Sequence, residues 1–176
     1  MTVLELEVIK ETPQKRITLV RELDKRNINE IEEETLKRLF DYHIEHGYHA
    51  TVLTTTVDNP TGYGRIIRDE NKDLLKIVEQ KDANEEELAV NEINSGIYCF
   101  KGDKLKEALD LLDNNNAQGE YYLTDTMKII KDRGSKVGAF VGATIEELMG
   151  VNSRVQLSQA EAIMRKRINK RHMDNG

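Results

Sequence analysis

The chain has 176 residues, 38% hydrophobic and 33% charged, which suits one soluble domain of mixed structure. Its formal net charge of -6 argues against nucleic acid or an anionic membrane surface as the main partner. No apolar run approaches the ~20 residues of a spanning helix, and Met1 to Thr12 carry acids where a secretory leader would be basic and then apolar, so a cytoplasmic setting is expected.

Residues 1–32 differ in texture from the rest of the chain. Val3, Leu4, Leu6, Val8 and Ile9 suit a strand, as do Ile17, Leu19 and Val20. The stretch Glu11 to Lys15 between them suits a turn, so a hairpin is expected. From Glu33 the apolar residues Leu36, Leu39, Phe40 and Ile44 recur at helical spacing, and Gly47 is a good stop. Ala50 to Val57 is β-branched and reads as a strand. After the loop Asp58–Gly64, Arg65–Ile67 and Leu74–Glu79 predict a second hairpin with the polar tip Asp69–Asp73.

Ala83–Val90 is expected to be helical. Asn94–Phe100 predicts a strand that includes the single cysteine, Cys99, as a buried small hydrophobe. Helices are expected over Asp103–Leu112 and about Leu123–Lys131, with a strand at Lys136–Val141. A long final helix opens at Asn152 and runs through Val155, Leu157, Ala160, Ile163, Met164 and Ile168. Strands alternating with helices imply an α/β fold with an at least partly parallel sheet.

Several residues carry candidate chemistry, each beside a plainer role. Gly64 would let a ligand approach the backbone, or merely complete a strand-connecting turn. Glu79, at a strand end, offers a fixed acceptor for paired sugar hydroxyls; the alternative is a solvated charge. Asn94 offers a donor and an acceptor to a hydroxylated ligand, or serves as a turn residue. Asn152 is a natural helix N-cap, yet its carbonyl oxygen also suits a hard divalent cation. The polar run Asn114 to Tyr122 is either a loop beside a polar site or a helix C-terminal loop. His43, His46 and His49 lack a thiolate or well-placed carboxylate that would complete a zinc site. Arg165–Arg167 and Lys170–His172 fit the cations favoured at a helix C-terminus, so nucleic acid is not expected as a partner.

In order, the segments Thr61–Ile66, Ile77–Ala83, Glu92–Ile97, Asn114–Tyr122 and Gly150–Leu157 are similar to one family. It is the N-terminal uridyltransferase domain of bacterial bifunctional N-acetylglucosamine-1-phosphate uridyltransferase/glucosamine-1-phosphate N-acetyltransferases. The resemblance covers about 33–176 and leaves 1–32 outside. It implies part of a Rossmann-like nucleotidyltransferase domain with a mixed sheet. The reaction implied joins N-acetylglucosamine 1-phosphate to UTP, giving UDP-N-acetylglucosamine and pyrophosphate for peptidoglycan precursors. By motif, Gly64, Glu79 and Asn94 would hold the sugar, and Asn152 would ligate Mg²⁺. A sugar 1-phosphate or UDP-sugar is then the expected ligand, and no membrane or nucleic acid.

Two departures temper that reading. No LxxGxGTRM segment occurs in these 176 residues. Where the family has Gly-Asp-x-Pro-Leu, with an aspartate as second metal ligand, this sequence has Arg26-Asn27-Ile28-Asn29. The resemblance therefore implies impaired or absent catalysis, with a non-catalytic sugar-phosphate-binding or assembly remnant as the alternative. Without the family's first strands, an exposed sheet edge would favour self-association.

Overall fold

The computed structural model describes residues 5–12, 17–23, 31–148 and 154–176. Strands β1 (Glu5–Thr12) and β2 (Ile17–Leu23) pair antiparallel. Helix α1 (Glu33–Glu45) then leads into β3 (Ala50–Thr56), followed by the hairpin of β4 (Arg65–Arg68) and β5 (Leu74–Val78). A single turn, α2 (Glu85–Leu88), precedes the long strand β6 (Glu92–Lys101). Helices α3 (Gly102–Leu109) and α4 (Asp125–Asp132), strand β7 (Val137–Val141), the short α5 (Ile145–Leu148) and the long α6 (Arg154–Asp174) complete the order.

The strands form one mixed sheet in the order β1-β2-β6-β3-β7, with the β4/β5 hairpin joined to β6. Only the β3–β7 pair is parallel among the described strands, so the sheet is less parallel than alternation alone suggests. One edge of β6 pairs with β3. Its other edge pairs with β2 from Ile97 to Lys101 and with β4 at Ile93. The edge beside β6 is thus taken by β2, and the sheet's outer edge on that side is β1.

Alternation along β6 explains its unbroken apolar run. Tyr98 and Phe100 face a cluster with Val52, Leu105, Met127 and Ile130, beneath α3 and α4. Ile97 and Cys99 face the opposite cluster with Leu39, Leu53 and Leu148, beneath α1 and α5. Both faces are covered, so the strand reads as continuous rather than alternating hydrophobicity. Burial pushes the Cys99 thiol up to about 12.

Some element limits differ from the sequence expectation, for local reasons. The stretch expected as a helix over Ala83–Val90 contracts to Glu85–Leu88 because Asn84 starts it with a reciprocal capping box. Its side chain accepts from Glu87 N at 2.9 Å while Glu87 accepts from Asn84 N at 2.9 Å. Helix α3 stops at Leu109, short of Leu112, and α4 starts at Asp125. Asn152, expected to open the last helix, lies outside the described residues; α6 begins at Arg154.

Polar ties hold these layers in register. Arg68 grips Glu92 with both arms, Nε to Oε2 at 2.7 Å and Nη2 to Oε1 at 2.6 Å. Glu92 also accepts from Thr54 Oγ1 at 2.7 Å, and Arg68 Nη2 reaches Ala139 O at 3.2 Å. One half-buried bidentate pair therefore links β4, β6, β3 and β7. At the start of α1, buried Glu147 accepts from Glu32 N at 3.1 Å and from Thr144 N at 2.7 Å. Burial works to raise its carboxyl, but those hydrogen bonds prevail and hold it below the usual range.

The three spaced histidines take separate roles. His43 is 1% exposed, shares a 2.9 Å hydrogen bond with Thr51 Oγ1, and leaves Nε2 without a hydrogen-bond partner. His46 Nδ1 meets Tyr42 O at 3.0 Å, and His49 Nδ1 accepts from Lys136 N at 3.2 Å. Burial first, then Lys101 and His49, holds His43 down at about 4. That lies below the unfolded value of 6.5, so stability from keeping His43 neutral is complete above pH 6.5. It is lost progressively as pH falls towards 4. Thermal midpoints followed by circular dichroism should therefore decline below pH 6.5, and His43→Asn should flatten that decline. An equally steep decline in the variant would assign the proton uptake elsewhere.

Candidate functional site

The β4/β5 hairpin brings its two ends together, Gly64 just before β4 and Glu79 just after β5. Gly64 is buried, and a Cβ built on it would lie 3.1 Å from Glu79 Oε1 and 3.4 Å from Oε2. The carboxylate thus lies over bare backbone, a fit that a side chain at position 64 would crowd. Gly64 O in turn accepts from Asn94 N at 2.9 Å. Three sequence-predicted residues, from three separate segments, meet at one place.

Asn94 sits where β6 departs from regular pairing. Val52 faces Tyr98 but Thr54 faces Asn94, so β6 carries extra residues there. Gly96 takes up a φ of 75°, which suits glycine. The N–H groups turned out of the ladder find local acceptors. Gly96 N donates to Asn94 Oδ1 at 2.9 Å and Ile97 N to Ser95 Oγ at 3.1 Å. Asn94 Nδ2 donates to Tyr98 Oη at 2.9 Å. The amide is held in one orientation and still keeps one N–H and one lone pair for a ligand.

Glu79 is half-buried, and Thr124 Oγ1 approaches its Oε1 at 3.4 Å. Burial raises its carboxyl above the ordinary range; Thr124 and Arg65 oppose that, whereas Asp125 and Asp82 add to it. Arg65 is 2% exposed. It donates through Nη1 to Tyr63 O and through Nη2 to Gln80 Oε1 at 3.2 Å, while its buried Nε has no hydrogen-bond partner. Burial lowers the guanidinium's affinity for its proton and Glu79 raises it. Gln80 Oε1 also accepts from Gly62 N at 2.5 Å, so one side chain ties the Gly-containing loop to the end of β5.

The polar run after α3 folds against this corner. Asn116 Oδ1 accepts from Gln118 N at 3.1 Å and Glu120 N at 3.2 Å, and Gly119 takes φ 65°. Tyr122 Oη donates to Asp82 Oδ2 at 3.1 Å, whereas Tyr121 is 56% exposed. Arg65, Gln80 and Thr124 do not stand out in the sequence, although two of them lie within the segments that carry the resemblance. Nothing in their immediate sequence neighbourhood marks them, since Gln80 stands between Glu79 and Lys81, and Thr124 between Leu123 and Asp125. Asn152 lies outside the described residues. Among those described, no group of three or more His, Cys, Asp or Glu side chains could hold a metal ion.

The corner therefore combines a half-buried carboxylate, an oriented amide, and a glycine whose bare backbone the carboxylate approaches. That donor set suits a neutral polyhydroxylated ligand.

The family described as Nucleotidyl transferase matches residues 27–145. The chain is 77% identical to the bifunctional protein GlmU of Clostridioides difficile over 146 residues, 83% of this chain and 32% of that protein. It is 57% identical to the bifunctional protein GlmU of Clostridium tetani over the same shares. The chain thus spans about a third of the length of the curated relatives it matches. Among solved structures, one described as a glucose-1-phosphate thymidylyltransferase from Bacillus anthracis, in complex with sucrose, aligns with TM-score 0.52. It has 21% identity and covers 73% of this chain and 48% of its own. The synthetase for CMP:2-keto-3-deoxy-manno-octonic acid, complexed with CTP, aligns with TM-score 0.59 at 15% identity, over 86% and 63%. At those identities the likeness is one of fold.

Because burial raises Glu79, its charge costs stability at neutral pH, and the cost disappears once the carboxyl takes up a proton. Glu79→Gln should therefore have a thermal midpoint at pH 7 equal to or above wild type, and calorimetry should show the gap closing as pH falls. A markedly lower midpoint at pH 7 would mean that the charge is paired rather than stranded.

Proposed function

The chain belongs to the nucleotidyl transferase family, and on that footing we propose that it forms the sugar-binding part of a uridyltransferase-type domain. The reaction of the whole domain would be N-acetylglucosamine 1-phosphate plus UTP giving UDP-N-acetylglucosamine plus pyrophosphate. A phosphate oxygen of the sugar phosphate would attack the α-phosphorus of UTP. The new P–O bond would form as the bond to the leaving pyrophosphate breaks, so the protein's part is positioning and charge neutralisation.

The observation that carries this reading is the convergence of Gly64, Glu79 and Asn94. In it, Glu79 accepts from sugar hydroxyls, Asn94 uses its remaining N–H and lone pair, and the Gly64 backbone lies against the acetamido group. The 77% identity to a bifunctional GlmU protein over 83% of the chain supports the same assignment.

The phosphate side is less well supplied. No LxxGxGTRM stretch occurs in the 176 residues, and the described residues present no cluster fit for a metal ion. Asn152 would supply one oxygen ligand to Mg²⁺, and one amide oxygen does not by itself make a site for that ion. The 176-residue chain by itself should hold the sugar phosphate without efficient transfer, since losing oriented phosphate contacts commonly removes several kcal/mol of transition-state stabilisation. A cytoplasmic setting and self-association through the outer sheet edge belong to the same proposal. Among the described residues no helix is long and apolar enough to cross a membrane.

Calorimetric titration with N-acetylglucosamine 1-phosphate should show binding that Glu79→Ala abolishes. An assay with UTP and Mg²⁺ should release little pyrophosphate from this chain alone. Absence of binding by the folded wild-type chain at millimolar sugar phosphate would overturn the assignment; brisk pyrophosphate release would overturn the claim of impaired transfer.

A further inference from the structure

We propose that Asp82 is a positioning residue for the sugar: it latches the 113–122 loop to the turn carrying Glu79, making that loop a wall of the site. The role rests on the sugar-phosphate reading above.

Asp82 and Glu79 are the two ends of one turn, closed by Asp82 N donating to Glu79 O at 3.0 Å. Both carboxylate oxygens of Asp82 reach the facing loop. Oδ1 accepts from Ala117 N at 2.8 Å, and Oδ2 accepts from Tyr122 Oη at 3.1 Å. Beside them, Lys81 Nζ donates to Gln118 Oε1 at 2.7 Å, and Gln118 Nε2 donates to Tyr122 Oη at 2.8 Å. Four side chains and one backbone amide thus join the two segments.

The other end of the loop is anchored differently. Leu123 is fully buried in the core, and Thr124 beside it approaches Glu79. At 3.4 Å that hydroxyl contact is long for an O–H···O bond and would not by itself hold the wall. Between Asp113 and Tyr122 no residue is buried, so hydrophobic packing does not fix this stretch. The hydrogen bonds that Asp82 accepts, beside the one from Lys81 to Gln118, then hold it to the turn. Its position matters to the site because Asp82 and Glu79 share one turn, and Tyr122 stands two residues before Thr124, whose hydroxyl approaches Glu79 Oε1 at 3.4 Å.

The latch is exposed, so its loss should be felt in binding more than in folding. Each bond contributes on the order of 1 kcal/mol, and 1.4 kcal/mol is tenfold in affinity. Titration of N-acetylglucosamine 1-phosphate should show Asp82→Ala binding about five- to tenfold more weakly than wild type. Tyr122→Phe, which removes one arm, should cost about two- to fivefold. Asp82→Asn keeps an acceptor for Ala117 N and an amide donor to Tyr122 Oη, and should recover most of the affinity. Thermal midpoints of all three should match wild type within about 2 °C.

Wild-type affinity in Asp82→Ala would overturn the latch while leaving the sugar site standing. A fall in midpoint that parallels the fall in affinity would overturn it too, as a merely structural role. Failure of the wild-type chain to bind would instead remove the sugar-phosphate reading itself, and the latch with it.

Discussion

Strand β6 is the member that the rest of the molecule is built on, because it has no free edge and no free face. Strand β3 occupies one edge, β2 and β4 share the other, and Tyr98, Phe100, Ile97 and Cys99 are fully buried on alternating sides. A strand so enclosed must satisfy every backbone group within the protein. Where regular pairing fails, between Asn94 and Ile97, short polar side chains take over the task. The candidate site is located at that irregularity, at the point along β6 where β2 ends and β4 begins.

This placement explains the division of labour among the polar residues. Asn94 is committed partly to its own strand, through Gly96 N and Tyr98 Oη, so it arrives pre-oriented. Gln80 and Arg65 secure the Gly62–Gly64 approach, and Glu79 is left lightly paired. A carboxylate raised by burial and by Asp125 and Asp82 keeps unspent capacity to accept hydrogen bonds. Such a group is lightly satisfied by the protein itself, which makes Glu79 a candidate binding position.

Much of the fold is legible in the sequence where one period dominates. The helical spacing of Leu36, Leu39, Phe40 and Ile44 locates α1, and the turn residues Asp69–Asp73 locate the tip of the β4/β5 hairpin. Helix ends are less legible, because α3 and α4 begin without a side-chain cap and so no capping residue marks where they start. Of the site, Gly64, Glu79 and Asn94 emerge through the order of their motifs, since each taken singly fits an ordinary turn or surface role. Arg65 and Thr124 escape notice because nothing local distinguishes a buried arginine or threonine from an exposed one. Their burial comes from the crossing of β4, β5 and α4, which is a property of the assembled sheet.

The two halves of a nucleotidyl transfer make different demands on a fold, and that difference bears on what these residues can do alone. Gripping a sugar requires short, directional hydrogen bonds from rigid elements, and in the proposed reading the corner between β4, β5 and β6 would offer Glu79 and Asn94 for that task. Stabilising a phosphoryl transition state requires dense positive charge and oriented N–H groups around several oxygens. Around Glu79 the balance is the reverse: Asp82 and Asp125 stand near it, and Arg65 is engaged with Tyr63 and Gln80. In the proposed reading, a site of that polarity would take the uncharged, hydroxylated end of a sugar phosphate. The phosphate would therefore point away from Asp82 and Asp125, towards whatever groups complete the transfer.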